Sequence, residues 1–151
     1  MTPYFDDLRA ALTNANEDEW VSRTSKSARH ILIAVCFRET SENTVRLTSS
    51  VLFAPIGFYY SLFHLGVATL WLDYQTAQSE LNRVRHDKVR LLVQDRLVNR
   101  GVLPNSFLAL FLELQNLREF ANYTFGERLS RYNFKSITSE LYQRTGVSFD
   151  D

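Results

Sequence analysis

Several things are scarce in this 151-residue chain, and each scarcity excludes something. It has one cysteine, Cys36, so it can form no intramolecular disulfide and no cysteine-based zinc motif, which suits a reducing compartment. It has five glycines and three prolines. Strict period-2 alternation is rare, and the two features together predict a mostly helical chain. It carries no excess charge: 17 basic residues balance 17 acidic ones, which argues against a broad nucleic-acid footprint or a membrane-surface role. Its first seven residues, Met1 to Asp7, lack the basic start and apolar core of a signal peptide, and the expectation is a cytoplasmic protein. There is no GxxxxGK[ST], GxGxxG, HExxH or GxSxG. The three histidines, His30, His64 and His86, lie far apart in sequence without carboxylates at metal-ligand spacing, so neither metal nor cofactor is expected.

What is present is apolar and aromatic. Hydrophobic residues make up 45%, with 11 Phe and 7 Tyr, which is too much for a disordered chain. A single domain of this length can bury a sizeable core without staples. The basic residues are 14 Arg and three Lys (Lys26, Lys88, Lys135). A high-GC genome explains that bias; the functional reading is that Arg suits bidentate contact with phosphate or carboxylate.

The apolar periodicity predicts an all-α, up-down bundle of four to five main helices. Thr2-Pro3 is an N-cap and N1 pair opening a short helix with Leu8, Ala11, Leu12 and Ala15 on one face. Residues 14–26 read as a polar connection. Residues 27–37 place Ala28, Ile31, Leu32, Val35 and Cys36 at helical spacing, and Cys36 there reads as a core residue. Taken alone, 31–37 fits a buried strand as well; length and the flanking Ser27-Ala28-Arg29 favour a helix. Residues 39–50, rich in Ser, Thr and Asn, read as a loop.

Residues 51–72 contain no Asp, Glu, Lys or Arg and are long enough to span a bilayer. Pro55, His64, two glycines, Ser61, Thr69 and two tyrosines weaken that reading. A helix apolar all round is also what the centre of a bundle requires, and that is the expectation. Residues 83–99 predict a helix with Val89, Leu92, Val93 and Leu97 inward, closed at Arg100-Gly101. Pro104-Asn105-Ser106 opens another, with Phe107, Leu110, Phe111, Leu114, Leu117 and Ala121 on one stripe, stopping by Gly126. An irregular stretch over 127–135 and a last short helix over 136–144 complete the chain.

Arg118 stands out on that stripe, where a guanidinium must be paired or bound. It is either a strut between helices or a phosphate clamp, with Asn122 sharing its face one turn on. His64 shares a face with Tyr60, and a lone histidine on an apolar helix is most often a hydrogen-bonded core residue. His86, within Arg83-Val84-Arg85-His86-Asp87-Lys88, reads as a solvated helix start or as a contact for phosphate or RNA.

These residues carry a resemblance. Tyr59-Tyr60-Ser61-Leu62-Phe63-His64 resembles the YYAxFH signature of the HEPN superfamily (higher eukaryotes and prokaryotes nucleotide-binding). Arg85-His86-Asp87-Lys88-Val89 falls where that branch has an SH-x-x-V helix start, Asn99-Arg100-Gly101-Val102-Leu103-Pro104 resembles its K-x-G-x-L-P turn, and Leu117-Arg118-Glu119-Phe120-Ala121-Asn122-Tyr123 resembles its LRxxADY. Order and spacing agree over 51–123. The resemblance implies a four- or five-helix bundle that dimerises, and a bacterial toxin–antitoxin or defence setting. Its members include metal-independent endoribonucleases, toxins paired with minimal nucleotidyltransferases, and inactive scaffold versions.

The family's ribonuclease motif is Arg-x4–6-His with a polar residue often following the Arg. Arg118 and Glu119 match, but the histidine slots hold Tyr123, Thr124 and Phe125. Two beyond the first of these, where the toxin branch has a Tyr modified by the partner transferase, the residue is Phe125. Tyrosine, with a pKa near 10, is a poor base at neutral pH. Losing proton transfer forfeits roughly 10²–10⁴ in rate unless His64 or His86 substitutes.

Three readings follow: a protein binding RNA, nucleotide or a protein partner with weak or no nuclease activity; an active nuclease using Arg118 with a substitute histidine or Tyr123; and a structural dimerisation subunit. The candidate catalytic residues are Arg118, Tyr123 and His64, and the candidate binding residues are Asn122, Glu119, Tyr60 and His86. The expected partners are a second copy of the chain, RNA or nucleotide, and a nucleotidyltransferase-type or other defence protein, with no membrane.

Overall fold

The computed structural model describes residues 3–47, 53–82 and 84–124. Among these the chain is an all-α helical bundle with no strand. The helices are α1 (Pro3–Thr13), α2 (Glu17–Leu47), α3 (Ala54–Leu72), the single turn α4 (Gln78–Leu81), α5 (His86–Leu92) and α6 (Asn105–Glu119). Both α5 and α6 run on into π-helical turns, Val93–Val98 and Phe120–Thr124. The Thr2 cap, the stop near Gly126 and everything predicted for 127–144 lie outside the described residues.

Helix α2 corrects the sequence reading most. It absorbs most of the polar connection at 14–26 and of the loop at 39–50 into one 31-residue rod, about 46 Å long at 1.5 Å per residue. Asn16 begins it, its Oδ1 accepting from the amides of Asp18 (3.0 Å) and Glu19 (3.4 Å), while Glu17, Asp18 and Glu19 complement the helix dipole. At the far end Ser41 and Thr44 remain helical by donating to the carbonyls of Phe37 and Thr40, each at 2.8 Å, a bond that lets Ser and Thr sit inside a helix.

The buried face of α2 is not the apolar one. Arg23, Ser27, Ala34 and Ser41 are buried, with His30 and Phe37 half-buried between them, a 4-3-4-3-4 spacing that makes one seam. Ile31, Leu32 and Val35 are exposed, Leu32 by 67%, and Cys36 is exposed too. The seam zips antiparallel onto α3: Ser27 donates to the Ala68 carbonyl at 2.9 Å, His30 meets His64, Phe37 stacks on Tyr60, and Ser41 faces Gly57. Small residues win the seam because they bring the two backbones close. A Cβ on Gly57 would collide with Ser41 and stand 3.2 Å from the Phe37 carbonyl.

Helix α3 is the central helix. It buries Tyr59, Phe63, Val67, Leu70 and Trp71 in a core completed by Leu81, Val89, Leu92, Val93, Leu97, Val98 and Phe111. Among the described residues no helix is long and apolar enough to cross a membrane. The C-terminus of α3 is tied down by arginines. Arg23, 4% exposed, donates to the carbonyls of Trp71 (3.3 Å), Asp73 (3.3 Å) and Thr76 (2.9 Å). Buried Asp73 accepts from Arg100 at 2.9 Å and from the Thr76 hydroxyl at 2.6 Å, and the Arg100 guanidinium lies about 5 Å from the rings of both Tyr4 and Tyr74.

The predicted turn at Gly101 is present, with φ of 72°. Helix α5 starts at His86 rather than at residue 83, after the extended Arg85. On α6 the predicted stripe holds at Phe111 and Leu117, but Leu110 is exposed and Phe120 replaces Ala121 as the buried residue. Phe120 lies three residues after Leu117, on the same face of the helix, before the chain passes into the π-helical turn.

Candidate functional site

Helix α3 places Tyr59 one residue before Tyr60 and five before His64, so the three line adjoining faces. The end of α6 lays Arg118 across Tyr59, the guanidinium carbon 5.0 Å from the ring centroid. The start of α5 brings His86 in: its Nδ1 and the Tyr59 hydroxyl share a 3.2 Å hydrogen bond. The His86 ring also packs 4.3 Å from that of Phe63 and edge-on to Tyr60. Arg118 and His86, far apart in sequence, therefore both contact one phenol.

The electrostatics follow from that geometry. Tyr59 is 1% exposed, and burial raises its pKa, with the Arg118 charge pulling the other way, so it stays a neutral phenol at pH 7. His86 is pushed below its ordinary 6.5 by desolvation first and by Arg118 second, against Asp87, which raises it. It is neutral at pH 7, and its Nε2 takes no part in the bond to Tyr59. The Nε of Arg118 is buried without a hydrogen-bond partner, and among the described residues no carboxylate pairs with the guanidinium. An orphaned buried donor costs about 1–3 kcal/mol, so this cation is held without full compensation from the fold.

Beside this cluster lies an imidazole pair. His30 of α2 and His64 of α3 face each other Nδ1 to Nδ1 at 2.8 Å, with Phe37 stacked on His64 at 5.8 Å. Desolvation, then His30 and His86, lower the His64 pKa to about 4; desolvation, then Arg29, lower that of His30. The three histidines thus share one aromatic cluster. The described residues contain no group of three His, Cys, Asp or Glu able to hold a metal.

The predicted site residues fare differently. Arg118, Tyr60 and His86 come together around Tyr59. The charge of Arg118 is felt at His86 and at Tyr59, whereas His64 responds to His30 and His86. Glu119 and Asn122 are exposed, Glu119 accepting from Gln115 at 3.1 Å. Tyr123 lies in the π-helical turn, its side chain outside the described residues. Sequence reasoning missed the role of Tyr59 as the bridge, although it stood in the quoted motif, and missed His30 as the partner of His64. No protein-family model, no curated protein and no solved structure matches this chain.

In chemical terms the cluster joins a fixed cation, a neutral phenol and a neutral imidazole. A cation with an unsatisfied N–H is a donor suited to an oxyanion, and a neutral imidazole beside it is a group able to accept a proton.

Proposed function

We propose that the chain binds RNA or a nucleotide through phosphate at the Arg118–Tyr59–His86 site, as a HEPN-like protein of a bacterial toxin–antitoxin or defence module, in the cytoplasm. The observation that carries the reading is the half-buried Arg118, its guanidinium over the Tyr59 ring and its Nε buried and unsatisfied. The order of the four motifs over 51–123 supports it as well. A net charge of zero argues for a footprint confined to this site. The test is fluorescence anisotropy with a short single-stranded RNA at fixed low salt, comparing the parent with Arg118→Gln. A loss of about tenfold or more supports the reading, in line with a charge-assisted phosphate contact; equal binding sinks it.

A second reading has its own support. His86 occupies the chemical place of the histidine absent from the Arg-x4–6-His slots, since it is neutral at pH 7 and is joined to Arg118 through Tyr59. This is the metal-independent endoribonuclease. It demands cleavage in EDTA, with 2′,3′-cyclic phosphate ends, lost in both Arg118→Gln and His86→Ala, and growth arrest on expression that vanishes with Arg118→Ala. Binding without cleavage leaves the first reading alone; neither activity makes the chain a structural subunit.

A second copy is the partner proposed for the outer face of α2, where Val21, Ile31, Leu32 and Val35 stand exposed. The acidic start (Glu17, Asp18, Glu19) and the Arg46 end of α2 complement each other when two copies pair antiparallel about a two-fold axis. A nucleotidyltransferase-type or other defence protein is the further partner this class of module implies.

A further inference from the structure

A groove of about 450 Å³ lies between α2, α3 and the α4 turn, and none of Arg118, Tyr59 and His86 lines it. Its floor is apolar, formed by Phe63, Val67, Trp71 and Leu81, all buried. Its rim is cationic: Lys26 and Arg29 stand one turn apart on α2, and no lining side chain is acidic. Neither cation is ion-paired among the described residues. Lys26 is instead held over the groove, its Nζ 4.3 Å above the Trp71 ring and donating to Asn82 Oδ1 at 3.3 Å. His30 also lines the groove, and its Nε2 takes no part in the bond to His64. The volume falls in the range of small-ligand sites, and the combination of apolar floor and convergent polar groups is what such sites require.

We propose that this groove is a second binding site, distinct from the Arg118 site, for a small organic anion: a flat aromatic or branched aliphatic body on the Phe63–Trp71 floor, with one carboxylate or phosphate held between Lys26 and Arg29. Charge complementarity selects the class. A neutral apolar ligand would leave two cations without counter-charge at the mouth, and an inorganic anion would leave the floor wet. The body and the head group are therefore both needed, and Trp71 reports occupancy directly.

The test uses the full chain with Trp20→Phe, leaving Trp71 as the single tryptophan, and two probes of the same shape. One is 8-anilinonaphthalene-1-sulfonate and the other its neutral counterpart N-phenyl-1-naphthylamine, both read by energy transfer from Trp71. The sulfonate should bind one to one and about tenfold tighter than the amine, the difference expected of a charge-assisted contact. Lys26→Gln and Arg29→Gln should each weaken the sulfonate several-fold and together bring it to the level of the amine, without moving the amine. Both are surface changes that keep the fold, which circular dichroism verifies. Val84→Phe, which adds bulk at the half-buried edge of the groove and no second tryptophan, should weaken both probes. Displacement by 2-naphthoate against 2-naphthyl phosphate then identifies the head group. Equal binding of the two probes, sulfonate affinity indifferent to Lys26→Gln with Arg29→Gln, or displacement by neither naphthyl compound overturns the proposal. Arg118→Gln should leave the sulfonate unchanged, so failure here and failure at the Arg118 site are separately visible.

Discussion

Tyr59 and His86 share a 3.2 Å hydrogen bond between phenol and Nδ1, and the face of that same phenol carries the Arg118 guanidinium. A buried tyrosine thus transmits the position of one charged side chain to one titratable one. The first consequence is measurable in the histidine itself. Replacing Arg118 with Gln removes a cation that lowers the His86 pKa, so that pKa should rise; Asp87→Asn removes an anion that raises it, so it should fall. Proton NMR titration of the His86 ring reads both. The two variants moving His86 in the same direction would contradict this arrangement.

Acid should destabilise the fold in a defined window. Folded His64 titrates at about 4, against 6.5 ordinarily, and His30 is lowered as well. Between pH 6.5 and about 4 the unfolded chain takes up protons that the folded chain refuses, so stability is complete above that window and falls on descending through it. Urea midpoints measured from pH 7 to pH 4 should drop, and the slope should be shallower in His64→Gln. A His64→Gln curve parallel to the parent would place the acid sensitivity elsewhere.

Arg23 is the arginine the fold depends on. It caps the end of α3 with bonds to three carbonyls from within the bundle. Arg23→Ala leaves those acceptors buried and should cost about 3 kcal/mol, read from urea unfolding, on the scale of stranded buried hydrogen-bonding groups. Lysine has no planar fork to reach three carbonyls and should recover only part of the loss.

Gly57 sets the spacing of α2 and α3. Alanine gains about 1 kcal/mol of helix propensity in an isolated helix. Against Ser41 and the Phe37 carbonyl the added methyl should reverse the sign, for a net loss of about 1–2 kcal/mol. Ser41→Ala in the Gly57→Ala background should return part of it, and a double-mutant cycle on thermal unfolding measures the coupling.

The outer face of α2 should govern association. Leu32→Asp places a charge in the exposed apolar row, and sedimentation at micromolar concentration should change from dimer to monomer without loss of helix content. A parent chain that already sediments as a monomer would remove the second copy from the proposal.

Sequence periodicity was a good guide where burial is all-round and a poor one where a helix carries two faces. Residues 51–72 are apolar on every side, and their central place in the bundle followed from that alone. On α2 the apolar row at Ile31, Leu32 and Val35 points outward, because the inner seam is chosen by close approach of small residues rather than by hydrophobicity. Arg118 was legible as a cation on an apolar stripe, whereas Arg23 was not, since nothing in its polar surroundings marks the three carbonyls it meets.

The composition and spacing of this chain alone determined that it is an all-helical bundle, that α3 is its core, that a glycine turn precedes α6 and that Arg118 is a cation on an apolar stripe. Only the tertiary structure decided that His30, His64 and His86 belong to one cluster, and that Tyr59 joins His86 to Arg118. The reason is geometric. An antiparallel helix pair brings together residues whose sequence separation grows with distance from the turn, and the seam that sets the pairing is held by Ser27, Ser41 and Gly57, residues too small to show in a hydrophobic pattern.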